Sequence, residues 1–337
     1  MNDDTRYTCA VGKIRALEAR LIRKEKFIQM CDADSAEDVL ELLSDTDYGS
    51  SLSELKNAGD FEDILKSEMR DVINLTSFLS NDPELTDVFR LKIDFNNLKL
   101  LLKIKHSSFV EDTTKFIDRH LMEGGLVPPE RLKKLFESDS IGELPVELSP
   151  VIRKIKEEFK ENNAPQLIDI IIDNELFSLL KERMGENYLL ERYLQRLIDL
   201  LNIKNFLRAG NLGKKKDFLE KMLLPGGRLE KKLFLASIDD REGSLSSRLP
   251  LEYEGLISRG IKYYRENNSW KELERLSDDY VLGALEPAKL IAFGIEPLIT
   301  YLLAKESEIK NIRMIIAGKL NRMPAELLRA TLREPYA

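Results

Sequence analysis

The sequence predicts an all-α protein built from three similar helical modules. Three observations carry this prediction. The 337 residues are rich in Leu, Ile, Lys, Glu and Arg and hold only 17 Gly and 12 Pro, a composition that favours helix. Strand-like alternation is almost absent. One helical phrase, "IDFNNLKLLLKIK" at residues 93–105, has counterparts at residues 198–210 and 304–316.

Taken in order, residues 11–31 place Val11, Ile14, Leu17, Leu21 and Ile28 near one face of an amphipathic helical run. Ser35, with Asp38 three residues on, reads as a helix N-cap with an early acid, and Gly49 as a helix stop. Residues 167–180 have a β-branched composition. However, Ile168, Ile171, Ile172, Leu176, Leu179 and Leu180 follow helical spacing, so the run is read as helix.

The repeat is anchored on Asn97, Asn202 and Glu308, which are 105 and 106 residues apart. That period is domain-sized, longer than those of common solenoids. A lysine follows each anchor by two: Lys99, Lys204 and Lys310. An acid precedes each by 29: Glu68, Asp173 and Asp279. Two copies continue into a glycine-pair element, residues 121–136 and 223–235, in which the glycines break one helix before a short amphipathic one. The third copy carries a shorter tail, residues 317–332. Loop-like stretches near 140 and 240 set expected modules of 1–140, 141–240 and 241–337.

Motifs for chemistry are missing. No phosphate loop and no dinucleotide fingerprint occurs, and His106 and His120 belong to no zinc pattern. The basic stretch at residues 209–217 reads as lysines beside helix carbonyls. The acid pairs Asp239–Asp240 and Asp278–Asp279 read as helix-start acids rather than Mg²⁺ ligands. No catalytic role, cofactor or metal is expected. With 59 acids, 52 bases and a net charge of −7, nucleic acid is disfavoured as a partner. The two cysteines, Cys9 and Cys31, form no disulfide framework. The N-terminus lacks a signal-peptide layout. The most apolar stretch, residues 287–304, contains Lys289, Glu296 and two prolines and so predicts no membrane span. A soluble cytoplasmic protein is expected. The repeated lysines have two readings, a solvated face or pairs within each module: Glu68 with Lys99, Asp173 with Lys204, and Asp279 with Lys310.

The opening segment with Tyr7, Gly12, Arg15 and Glu18, the stretch "LSDTDYG" at 43–49, and "DFNNLKLLLKIK" resemble the C-type subunit of V/A-type rotary ATPases and the d-type subunit of the eukaryotic vacuolar enzyme. The run 296–332, with Tyr301, Lys305, Glu306, Glu308, Asn311, Arg313 and Lys319, carries the resemblance furthest. Residues 138–163 are the least family-like. The resemblance implies a non-catalytic rotor part: three bundles in a funnel-like, pseudo-threefold arrangement. Such a part would couple central shaft subunits of the D/F type to the membrane proteolipid ring, peripheral to the cell membrane. Arg15, Lys310, Arg313 and Lys319 become candidates for cavity or interface roles, with buried capping or intramodule pairing as the alternative. A helical scaffold unrelated to rotary ATPases is the competing reading.

Overall fold

The computed structural model describes residues 4–52, 57–105, 113–138, 144–161, 165–211, 216–239 and 243–337. Among these, every regular element is helical. The chain opens with α1 (Thr8–Glu18), α2 (Lys24–Asp32), α3 (Ala36–Leu43) and the single turn α4 (Gly49–Leu52). There follow α5 (Phe61–Leu79), α6 (Pro83–Lys105), α7 (Thr113–His120) and α8 (Pro129–Glu137). The middle contains α9 (Leu148–Glu161), α10 (Gln166–Met184), α11 (Tyr188–Asn211), α12 (Lys216–Met222) and α13 (Lys231–Leu235). The last part contains α14 (Gly243–Ser246), α15 (Leu251–Asn267), α16 (Lys271–Leu282), a 3-10 segment (Gly283–Leu290), α17 (Glu296–Leu320) and α18 (Ala325–Thr331).

Local chemistry explains several boundaries. At α3, Ser35 Oγ accepts from the Asp38 amide at 3.1 Å while the Asp38 carboxylate accepts from the Ser35 amide at 3.0 Å, a complete capping box. The single run expected over 11–31 is instead two helices, and Ile28 lies at the surface. The break is fixed by tertiary structure: the Ile22 amide donates to the buried Glu308 carboxylate at 2.6 Å. Gly49 starts α4 rather than stopping α3, which ends at Leu43. The run 167–180 lies within α10, as its helical spacing predicts. Asp278 and Asp279 lie in the second half of α16 rather than at a helix start. His106, Asp240 and residues 212–215 lie outside the described residues, as do the expected module boundaries.

Three long helices, α6, α11 and α17, organise the packing. Each is preceded by another helix, α5, α10 or α16. Each long helix packs on the preceding helix of the next copy: α6 on α10, α11 on α16, and α17 back on α5. One hydrophobic core contains α6 along most of its length, Val88 to Leu102, with the N-terminal halves of α11 and α17, Leu189 to Ile198 and Leu298 to Ala304. Toward their C-termini α11 and α17 leave this core for two separate ones. The end of α11 packs with α15 and α16 around Phe206, Phe234 and Tyr253. The end of α17 packs with α2, α3 and α5 around Phe27, Met30 and Ile312. Burial on all sides explains the apolar run that opens α17, where every residue from Pro297 to Lys305 is buried: a helix hydrophobic all round is a central one. Among the described residues, no helix is long and apolar enough to cross a membrane.

Candidate functional site

The three long helices carry one motif: an acid, then Asn three residues later, then a cation two beyond it. The copies are Asp94–Asn97–Lys99, Asp199–Asn202–Lys204 and Glu308–Asn311–Arg313. The acid and Asn, spaced i and i+3, share a helix face. Each Asn side chain clamps one backbone unit from both sides. Asn97 donates to the Met122 carbonyl (2.8 Å) and accepts from the Met122 amide (2.9 Å). Asn202 does the same at Leu224 (3.0 and 2.8 Å) and Asn311 at Arg333 (3.1 and 3.0 Å). All three are buried, so each amide must find partners within the protein.

The acids receive further donors. Asp94 accepts from the amides of Leu126 (2.8 Å) and Val127 (3.3 Å). Asp199 accepts from the Leu229 amide and the Tyr253 hydroxyl, both at 2.9 Å. Glu308 accepts from the Ile22 amide and, at 2.9 Å, from the Tyr48 hydroxyl. Burial raises the Asp94 pKa to about 6 despite these donors, and raises that of Asp199 likewise. The glycine pairs follow from this geometry. Gly124 and Gly226 have φ of +95° and +98°, where a side chain is strained. A Cβ on Gly125 or Gly227 would lie 2.0 or 2.2 Å from the Asp94 or Asp199 carboxylate.

This corrects the register of the third copy. Glu308 corresponds to Asp94 and Asp199, not to Asn97; the anchors are 105 and 109 residues apart. The cation equivalent to Lys99 and Lys204 is Arg313. Lys310 stands only 3.8 Å from Glu306 on its own helix.

The intramodule pairs are also replaced. Lys99 bonds Asp173 at 2.6 Å, with Asp169 at 3.7 Å; Lys204 bonds Glu274 at 2.9 Å; Arg313 holds Glu62 through two bonds of 2.7 and 3.0 Å. Each cation thus reaches the helix that precedes the next copy's long helix, and the third returns to the first. The cause is packing: α5, α10 and α16 lie beside the previous copy's long helix. Glu68 therefore meets Lys305 at 2.9 Å. Asp279 bonds Arg275 at 3.0 Å and accepts from the Glu334 amide at 2.8 Å, while Asp278 holds Arg333 at 2.6 Å. The acid pair thus fastens the C-terminal tail.

Lys305 is the most buried charge of the return seam. Its Nζ lies 2.9 Å from Glu308, 2.9 Å from Glu68 and 3.2 Å from Asp47, and 4.9 Å from the centre of the Tyr48 ring. Burial lowers the Lys305 pKa, but the surrounding carboxylates outweigh it and the net shift is upward. Burial raises the Glu68 pKa. Two other candidate cations are caps. Arg15 donates to the carbonyls of Ala288 (2.6 Å) and Ile291 (2.8 Å), tying α1 to the 3-10 segment. Lys319 donates to the carbonyls of Cys31 (2.6 Å) and Ala33, closing the end of α2.

A family profile described as "ATP synthase (C/AC39) subunit" matches residues 10–331. The chain belongs to this family. It is 30% identical over 327 residues to the C-type subunit of the V-type sodium ATPase of Enterococcus hirae, covering 96% of this chain and 97% of that protein. It is 27% identical over 348 residues to the C-type subunit of the A-type ATP synthase of Methanocaldococcus jannaschii, covering 97% and 86%. The chain is a non-catalytic subunit of a V/A-type ATPase. For such a subunit the repeated motif is a structural joint rather than a reaction centre. Among the described residues, no group of three or more His, Cys, Asp and Glu side chains could hold a metal ion.

The sequence reading missed Asp94, Asp199, Glu62, Glu274 and the role of Lys305. The first two carry a readable signal, an acid three residues before each Asn. The partners Glu62 and Glu274 carry none, because their offsets from the anchors differ between copies.

Proposed function

We propose that this chain is the rotor part that couples the central shaft of a V/A-type ATPase to its membrane proteolipid ring, peripheral to the cell membrane. In this reading the modules 1–140, 141–240 and 241–337 form a funnel with pseudo-threefold symmetry. The cyclic order of the three cation–acid contacts carries the reading. A head-to-tail series of three that returns to its start is the connectivity of a closed ring, and a closed ring resists torsion better than an open series of bundles.

The narrow end of the funnel is the one where the long helices begin. There Arg183, at the end of α10, pairs with Glu84 at the start of α6, and Asn187 donates to Glu296 at 2.9 Å, joining the starts of α11 and α17. Each copy exposes one large apolar residue ahead of or at the start of its long helix: Phe78, Tyr188 and Leu290, at 83%, 74% and 91%. We assign this end to the proteolipid ring, and the splayed end, where the cores separate, to the D/F-type shaft subunits. Exchanging Phe78, Tyr188 and Leu290 for Asp tests the assignment. Capture of the detergent-solubilised ring falls while shaft capture is kept. Ring capture equal to that of the unaltered protein would overturn the orientation.

A further inference from the structure

The first two copies build their joint from one short stretch of chain. The residue clamped by Asn and the amide accepted by the acid are four residues apart in the first, Met122 and Leu126, and five apart in the second, Leu224 and Leu229. A short helix follows, α8 or α13. In the third copy the same two places are filled from distant parts of the sequence. Asn311 clamps Arg333, but Glu308 accepts the amide of Ile22, 311 residues from Arg333.

The segment around Ile22 matches the second copy's element point by point. A helix starts two residues after each donor, α2 at Lys24 and α13 at Lys231. Five residues after each donor stands a fully buried phenylalanine, Phe27 or Phe234. Each acid also accepts a tyrosine hydroxyl at 2.9 Å, from Tyr48 for Glu308 and from Tyr253 for Asp199. The acid just before each tyrosine pairs with an arginine one or two residues before the donor, Asp47 with Arg20 and Glu252 with Arg228.

We propose that the third joint is a latch, made by residues 20–32 and the tail 332–337, at which the ring opens and closes as one unit while the other two joints stay shut. Residues 20–32 thus complete the third copy although they lie within residues 1–140. The physical ground is chain continuity. When a joint parts, halves joined by a few residues of chain stay within reach of each other, whereas halves far apart in sequence are held only by their contacts. Those contacts are largely polar. Lys24 holds Glu334 at 2.8 Å with both side chains more than half exposed, while Asp278 and Asp279 hold Arg333 and the Glu334 amide. The anchor is Tyr336, buried against the core around α6, with Lys289 Nζ 4.5 Å from its ring centre. Only the cyclic order of the joints is needed here, whichever partners hold the two ends, so capture of shaft and ring tests the coupling reading separately.

Amide-resolved hydrogen exchange of the full-length chain tests the latch. Ile22, Leu126 and Leu229 donate to equivalent acids, so each joint is read by the same kind of probe. After correction for intrinsic rates, Ile22 should exchange at least about tenfold faster than Leu126 and Leu229, and the Arg333 and Glu334 amides should follow the Ile22 rate, as one opening event requires. Tyr336→Ala should speed Ile22 and Arg333 by about tenfold more and leave Leu126 and Leu229 unchanged. The latch is wrong if Ile22 is as protected as the other two donors, if Ile22 and Arg333 open independently, or if Tyr336→Ala speeds all three donors together. Should Tyr336→Ala not fold, the comparison within the unaltered chain decides.

Discussion

Replacing Lys305 by Met removes the cation from the centre of the return seam and tests that seam directly. The side chain is 1% exposed and is shared by Glu308, Glu68 and Asp47. Methionine fills a similar volume, so the cavity term is small. What remains is electrostatic. Three carboxylates lose their common partner, and Glu308, itself buried, keeps only the Ile22 amide and the Tyr48 hydroxyl. Breaking a buried pair by removing one partner costs about 3–5 kcal/mol. The loss should shrink at low pH, where Glu68, whose pKa burial already raises, takes up a proton, and in the double variant with Glu308→Gln, which removes one stranded charge. Urea unfolding at pH 7 and pH 5 measures both effects. A loss below about 1 kcal/mol at pH 7, or one unchanged by Glu308→Gln, would refute the claim that this network holds α17 to α5.

Four further outcomes follow from the same geometry. Gly125→Ala and Gly227→Ala should each destabilise by about 1–3 kcal/mol, because the new Cβ overlaps a buried carboxylate. Gly255→Ala, in α15 with nothing within 4 Å of the added Cβ, should stabilise by about 0.4–1 kcal/mol; thermal melts compare them. Phe206→Ala should cost about 3–5 kcal/mol in chemical denaturation, since Phe206 is fully buried and packs edge-on to Phe234 at 5.6 Å. Asp94 has a folded pKa of about 6 against a usual value of 3.8. The folded state therefore holds the proton more tightly, and this stabilising contribution is fully present below about pH 4 and lost as pH rises through 6. The total change across that window amounts to roughly 3 kcal/mol. Asp94→Asn should flatten that part of the stability–pH curve, and an unchanged curve would contradict the assignment.

Much of this fold is legible in the sequence because its helices are long and its repeat is local. The Asn at each anchor sits in a fixed pattern, acid–x–x–Asn–(Leu or Ile)–cation, that needs no tertiary knowledge to find. The third copy is easily misread because Glu308–Ile309–Lys310 imitates the Asn–aliphatic–Lys part of the pattern three residues early. The glycine pairs are legible as helix breaks, but not their reason, which is a carboxylate about 30 residues upstream pressed against the second glycine. The pairing of the cations is not legible at all. Helix α10 begins 69 residues after Asn97 yet packs on α6, and nothing local distinguishes that neighbour from α5. The break between α1 and α2 has the same origin, since Ile22 is held by Glu308 from the far end of the chain.

The central claim is that this chain is the joint between shaft and ring. The most direct measurement immobilises the shaft subunits and asks whether the detergent-solubilised proteolipid ring is retained, with and without the chain. Retention is expected only when the chain is present. Equal retention without it, or a chain that binds neither partner, would contradict the claim.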